Sequence, residues 1–203
     1  VDVFKKVDSR ATFWTASLSL TVVALEVVIW QPAGPVLAFN STFKIDQIAS
    51  LLKFFVLVLG FGAFFYAQDH FDKFQKRQTE FFSLALFSIS GMMVLISAHS
   101  LLTVYLGLEL LSLSLYAMVA MDRDSKLAAE AATKYFILGA LASGILLYGM
   151  SMLYGATGSL DLGEIKSFSG AQRDDILLIF GLVFILVGIG FKLGVVPFHM
   201  WIP

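Results

Sequence analysis

A single carboxylate, Glu109, stands inside the otherwise uncharged run LLTVYLGLELLSLSLYAMVA at 101–120. A helix of that length crosses a bilayer core of roughly 30 Å at about 1.5 Å per residue. Glu109 lies eight positions past Leu101, which puts it about 12 Å deep at that rise. A carboxylate at such depth is costly, and it either finds partners or takes up a proton. Tyr105, Ser112 and Tyr116 fall at minus four, plus three and plus seven from it, on the same helical face. The helix therefore has one polar seam, which must face protein or water. Two roles fit an acid on that seam. It can hydrogen-bond neighbouring helices as a structural group, or it can be a station for a proton or cation.

Two lysines join it. Lys192 lies in an apolar stretch where its helical neighbours are Ile185, Gly188, Ile189, Val195 and Val196, so its own helix offers no partner. A lone buried ammonium must find a carboxylate or water, or lose its proton. Glu109 is the acid deep enough to meet it. Lys134 lies about two turns into another apolar run, with Glu130 four residues before it in the favourable order for a helix-surface pair. Surface pairing and proton transfer both remain open for Lys134. Pro197 follows Lys192 by five residues, and the apolar run 176–202 is too long for one straight crossing. Those two features predict a discontinuous helix with its break near 193–197, a device that places ion sites within membranes.

The composition agrees with a membrane setting. Of the 203 residues, 58% are hydrophobic and only 14% charged, which is unlike a soluble domain. The net charge of −1 provides no basic field for nucleic acid. With no cysteine, disulfides, thiolate chemistry and Cys-ligated zinc or Fe–S centres are excluded for these residues. No HExxH, Walker A or dinucleotide fingerprint occurs, and Gly188-Ile189-Gly190 finds its third glycine one place late, at 194. The chain opens on Val1 without a signal-peptide pattern and ends in an apolar run at Pro203, which reads as a piece of a longer protein.

The elements that must carry these side chains follow from the apolar runs. The expected fold class is all-α, a polytopic transmembrane helical bundle of about six spans over one membrane domain, 1–203. The spans are expected at about 11–30, 45–67, 80–97, 101–120, 127–155 and 176–203. Pro32, Gly34 and Pro35 interrupt the stretch 31–44, and Asn40-Ser41-Thr42 reads as the start of a helix. Residues 68–79 and 156–175 read as polar connections. Ala98-His99-Ser100 is so short a turn that spans three and four must be antiparallel neighbours, with His99 solvated. Asp124 or Ser125 is placed to cap the fifth span. Gly139, Ala140, Ser143 and Gly144 form two small-xxx-small pairs for close packing.

Charge asymmetry sets an orientation. Lys5, Lys6, Arg10, Lys73, Lys76, Arg77, Arg123 and Lys126 fall on one side, against Lys44, Lys166 and Arg173 on the other. The eight-residue side is expected to be cytoplasmic.

Three runs, GLELLSLSLYAMVA at 107–120, EAATKYFILGALASGILLYGMSMLYGATG at 130–158 and GFKLGVVPFHMWIP at 190–203, resemble the antiporter-like membrane subunits of the bacterial proton-pumping NADH–quinone oxidoreductase (respiratory complex I). The run LLYGMSMLYGATG is most similar to subunit N of that complex. The resemblance extends, more weakly, to the residues before 79. It implies a fourteen-helix fold with two inverted five-helix repeats, each with a broken helix. The chain then holds helices two to six and the first part of helix seven. It also implies that Glu109, Lys134 and Lys192 are the family's proton-transfer residues, with His199 a possible relay just past the break.

The function so implied is a proton-translocating membrane subunit that couples quinone reduction by NADH to proton transport, in the cell inner membrane. The resemblance places no redox cofactor on this chain; NADH, FMN, Fe–S clusters and quinone act elsewhere in the complex. The implied partners are the other membrane subunits of complex I and the lipid bilayer, with no nucleic acid. An Mrp-type cation/proton antiporter subunit shares the Glu and Lys pattern. A structural membrane spacer, whose buried charges only fix packing, is the third reading.

Overall fold

The computed structural model describes residues 9–74, 78–172, 175–199 and 201. Lys5, Lys6, Lys76, Arg77 and Arg173, which entered the charge count above, lie outside the described residues. The chain runs α1 (Ser9–Ile29), β1 (Val36–Ala38), β2 (Phe43–Ile45), α2 (Gln47–Phe74), α3 (Gln78–Ile96), α4 (Leu101–Val119), α5 (Lys126–Thr157), α6 (Leu162–Ala171) and α7 (Ile176–Lys192). Among the described residues, α1 to α5 are long and apolar enough to cross a membrane, and α7 is a shorter apolar helix of 17 residues. The protein is an all-α, multi-pass membrane bundle. Large apolar side chains such as Leu18, Leu59, Leu141 and Leu186 point outward on nearly every helix. That outward greasiness is what a lipid-facing surface requires, and the backbone groups inside each span are paired along the helix.

The bundle packs in two groups. Phe13, Leu20, Leu57, Phe64, Phe82 and Ile89 from α1, α2 and α3 form one core, in which Phe13 meets Phe65 and Phe82 edge to face. Leu101, Leu146, Met150, Leu153, Ile165 and Leu178 from α4 to α7 form the other. Apolar side chains gain little by leaving lipid for one another, so close packing has to hold these helices together. The α5–α7 contact shows how. A Cβ on Gly149 would stand 2.8 Å from the Gly181 carbonyl oxygen, and one on Gly181 would stand 3.0 Å from that of Gly149. The two backbones touch because neither residue has a side chain.

Three expected connections turn out to be structured. Residues 36–45 form an antiparallel hairpin, with Val36 opposite Ile45 and Ala38 opposite Phe43. Asn40-Ser41-Thr42 is its turn, not the start of a helix, and Phe39, Asn40 and Ser41 all have positive φ. The helix begins only at Gln47, after Asp46 accepts a hydrogen bond from the Ala49 amide at 2.8 Å. The connection after α5 contains α6, whose first turn is capped by Asp161 through the amides of Gly163 and Glu164. The expected loop 68–79 is largely helical, since α2 runs to Phe74 and α3 starts at Gln78.

The hairpin, the 97–100 turn and the start of α6 lie together at one end of the bundle. The Lys44 amide donates to the Ser97 carbonyl, and the His99 amide to that of Thr42. The Leu101 amide donates to the Leu160 carbonyl, and the Leu162 amide to that of His99. Backbone pairing thus ties the α1–α2, α3–α4 and α5–α6 connections into one layer. His99 is half-buried in this layer, its Nε2 3.7 Å from Asp161 Oδ2.

Candidate functional site

Two local sequences set the position of the charges. Ser100 ends the short turn with extended backbone and accepts the Leu102 amide at 3.3 Å, so α4 starts at Leu101 and its register places Glu109 mid-helix. Asp175 caps α7 in the same way, through the amides of Leu177 and Leu178. At its other end α7 stops in the last turn that includes Lys192. The Val195 amide donates back to the Gly190 carbonyl and the Gly194 amide to that of Phe191, with Gly194 at φ 63°. This is a Schellman closure around a left-handed residue. Gly194, three residues before Pro197, makes this stop. Lys192 therefore sits at the negative end of the α7 dipole, which favours a cation.

Glu109 and Lys192 come together across the α4–α7 boundary. Lys192 Nζ lies 3.7 Å from Glu109 Oε1, and the two side chains are only 13% and 21% exposed, respectively. That distance is an ion pair without a direct hydrogen bond, since charge-assisted contacts close to about 2.7–2.9 Å. The ammonium's hydrogen bonds go to hydroxyls instead. Lys192 Nζ donates to Ser112 Oγ at 2.7 Å and to Tyr116 Oη at 3.3 Å. Both acceptors lie on the seam that helical spacing picks out around Glu109. Glu109 Oε1 in turn accepts from Ser143 Oγ on α5 at 2.5 Å. Three helices thus contribute to one small polar site within an apolar bundle.

Aromatic rings close the site on the side of the break. Tyr116 meets Tyr135 edge to face at 4.5 Å, and Tyr135 stacks on Trp201 at 4.7 Å with the rings 7° from parallel. Trp201 Nε1 donates to the Phe191 carbonyl at 2.9 Å, so the chain after the break folds back over the end of α7. An apolar cleft of about 280 Å³ between α5 and α7 runs beside the break, lined by Leu138, Ala142, Val187, Pro197 and Phe198 among others. Tyr105, one turn from Glu109, lines a second, smaller cleft with Leu147, Met150 and Tyr154.

Lys134 is not part of this arrangement. It pairs with Glu130 one turn earlier on α5, and both side chains are about 60% exposed or more. His199 is exposed in the turn beyond the break. Of the residues named from sequence, the fold joins Glu109, Lys192, Ser112 and Tyr116, and leaves Lys134 and His199 apart from them. Ser143 and Gly139 belong to the site although their sequence signal was only that of small packing residues. They lie four apart on one buried face of α5, whereas Ala140 and Gly144 are exposed. Among the described residues, no group of three or more His, Asp or Glu side chains is placed to hold a metal ion.

The family model described as NADH:quinone oxidoreductase/Mrp antiporter, TM, matches residues 98–203. The NADH-quinone oxidoreductase subunit N of Alkalilimnicola ehrlichii is 48% identical over 206 residues, covering 100% of this chain and 42% of that protein. Its counterpart in Thiobacillus denitrificans is 55% identical over 170 residues, covering 83% and 35%. This chain thus spans less than half the length of these relatives. A chain in the structure of respiratory complex I from Thermus thermophilus with bound aureothin is similar at a TM-score of 0.76 and 31% identity, covering 96% of this chain and 41% of that one. A chain of the Mrp complex from Dietzia sp. DQ12-45-1b shares the fold alone, at a TM-score of 0.72 and 19% identity, covering 95% and 37%.

Proposed function

We propose, from the premise that this chain belongs to the NADH:quinone oxidoreductase/Mrp antiporter membrane family, that it is a proton-translocating membrane subunit of an NADH–quinone oxidoreductase. The observation that carries this reading is the part-buried Glu109–Lys192 pair across α4 and α7. A carboxylate and an ammonium in an apolar bundle stabilise each other's charge only while they are close. When they separate, Lys192 loses its counter-ion in a medium that disfavours the charge, and its proton can leave. When they close again, the ammonium form is favoured.

In this reading Lys134 is the next station for the proton along the bundle, and His199 a relay beyond the break. Electron transfer from NADH to quinone takes place elsewhere in the complex, and this chain's partners are the other membrane subunits and the bilayer. An Mrp-type antiporter is the competing reading. Identities of 48% and 55% to subunit N relatives, against 19% to the Mrp chain, favour the oxidoreductase.

The test is NADH-driven proton uptake into inverted membrane vesicles, normalised to assembled complex. Removing one partner leaves an unpaired buried ion, worth roughly 3–5 kcal/mol. Glu109→Ala and Lys192→Ala should therefore cut pumping strongly, while Glu109→Asp and Lys192→Arg keep more of it. Near-normal pumping by fully assembled Glu109→Ala would overturn the reading and leave a packing role for the pair.

A further inference from the structure

The separation within the ion pair needs a cause. Lys192 Nζ reaches Ser112 Oγ at 2.7 Å yet stays 3.7 Å from Glu109 Oε1, although that carboxylate is the stronger acceptor. The oxygen nearest the lysine is oriented by another donor, since Ser143 Oγ donates to the same Oε1. Ser143 is 5% exposed and belongs to α5, whereas the paired charges belong to α4 and α7. It reaches Glu109 because Gly139, four residues earlier on the same face, leaves room for Tyr116 between the helices. We propose that Ser143 is a positioning residue that holds Glu109 off Lys192, so that the pair rests slightly open and α5 sets its spacing.

This inference rests on the pair being the proton-transfer element proposed above and adds what controls it. A carboxylate oxygen that accepts a short hydrogen bond from Ser143 is partly compensated and oriented by that donor. The lysine then divides its donors between Ser112 and Tyr116, two neutral hydroxyls, and is spared a tight salt bridge. A loose pair opens with less work than a hydrogen-bonded one. A shift of α5 against α4 that removes the Ser143 donor frees Oε1 to take Lys192 directly. A shift the other way restores the gap. Thus α5, the helix that also carries Lys134, acts on the pair through one hydroxyl.

The experiment uses the intact assembled complex with Ser143→Ala, Ser143→Thr and Ser143→Cys, beside Glu109→Gln. In a structure of the Ser143→Ala complex, Lys192 Nζ should close from 3.7 Å to about 2.7–2.9 Å from Glu109. Protons pumped per NADH oxidised should fall about three- to tenfold in Ser143→Ala, since each tenfold is a small change in opening energy. Ser143→Thr keeps the donor and should restore most of the pumping. Ser143→Cys, a weaker donor of similar size, should fall between them. An unchanged Lys192–Glu109 distance with normal pumping in Ser143→Ala, while Glu109→Gln abolishes pumping, overturns the positioning role and leaves the proton-transfer reading standing. Normal pumping in Glu109→Gln overturns both. If Ser143→Ala fails to assemble, the order Thr above Cys decides, and equal pumping by those two overturns the proposal.

Discussion

A Cβ placed on Gly139 would stand 2.0 Å from the hydroxyl oxygen of Tyr116, so this glycine is the space in which that hydroxyl reaches Lys192. Buried side chains offer little room for retreat, and Tyr116 is packed edge-on against Tyr135 and Phe136. Gly139→Ala should displace the ring at a cost of about 1–3 kcal/mol, typical of overpacking. The expected result is an assembled complex with lower thermal stability and reduced proton pumping per NADH. Gly144→Ala, where a Cβ meets nothing within 4 Å, should change neither. Equal behaviour of the two variants would show that Tyr116 has another place to go.

Ser112 gives Lys192 its shortest contact. A hydrogen bond to a charged group contributes roughly 1.5–3 kcal/mol. Ser112→Ala should therefore reduce pumping at least tenfold by the usual conversion of about 1.4 kcal/mol per decade. Ser114→Ala is the matched control, because Ser114 Oγ bonds back to the Leu110 carbonyl within α4. Its pumping should stay near that of the parent. Vesicle proton uptake, normalised to assembly, decides between them.

The end of α7 depends on Gly194 in its left-handed conformation. An alanine there meets a backbone penalty of about 1–2 kcal/mol. Gly194→Ala should loosen the turn that holds Lys192 in the last turn of α7 and lower the thermal stability of the complex. Pro197→Ala should leave the end of α7 at Lys192, because the Schellman hydrogen bonds do not involve residue 197. High-resolution structures of the two variants in the intact complex test this. A helix running on past Lys192 in Pro197→Ala would return the break to the proline.

The connections between helices also carry a topological expectation. The charge split places 121–126 in the cytoplasm and 156–175 on the opposite side. The chain has no cysteine, so single cysteines at Asp124 and Ser169 are its only labels. On intact cells a membrane-impermeant thiol reagent should reach residue 169 and not residue 124. Labelling of 124 alone would reverse the orientation.

The sequence by itself determined the class of the molecule and its one polar seam, but not the helix α6. Apolar runs of bilayer length leave the backbone only helical solutions, and the period of 3.6 residues per turn puts Ser112 and Tyr116 on the face of Glu109 before any neighbour is known. The need of a lone ammonium for a counter-ion pointed from Lys192 to Glu109 across 82 intervening positions. Tertiary structure decided the rest, because those features depend on which helix lies against which. Only packing could reveal that Ser143 faces the carboxylate while Gly144 faces outward, since one residue along a helix turns the side chain by about 100°. Lys134 shows the same limit from the other side: its spacing to Glu130 and its place within an apolar run were both legible, and only the packed bundle shows it on the surface, apart from the pair. The hairpin at 36–45 was hidden for a related reason. Its short strands are held by bonds to the 97–100 turn, a partner more than fifty residues away in the chain that local sequence does not contain.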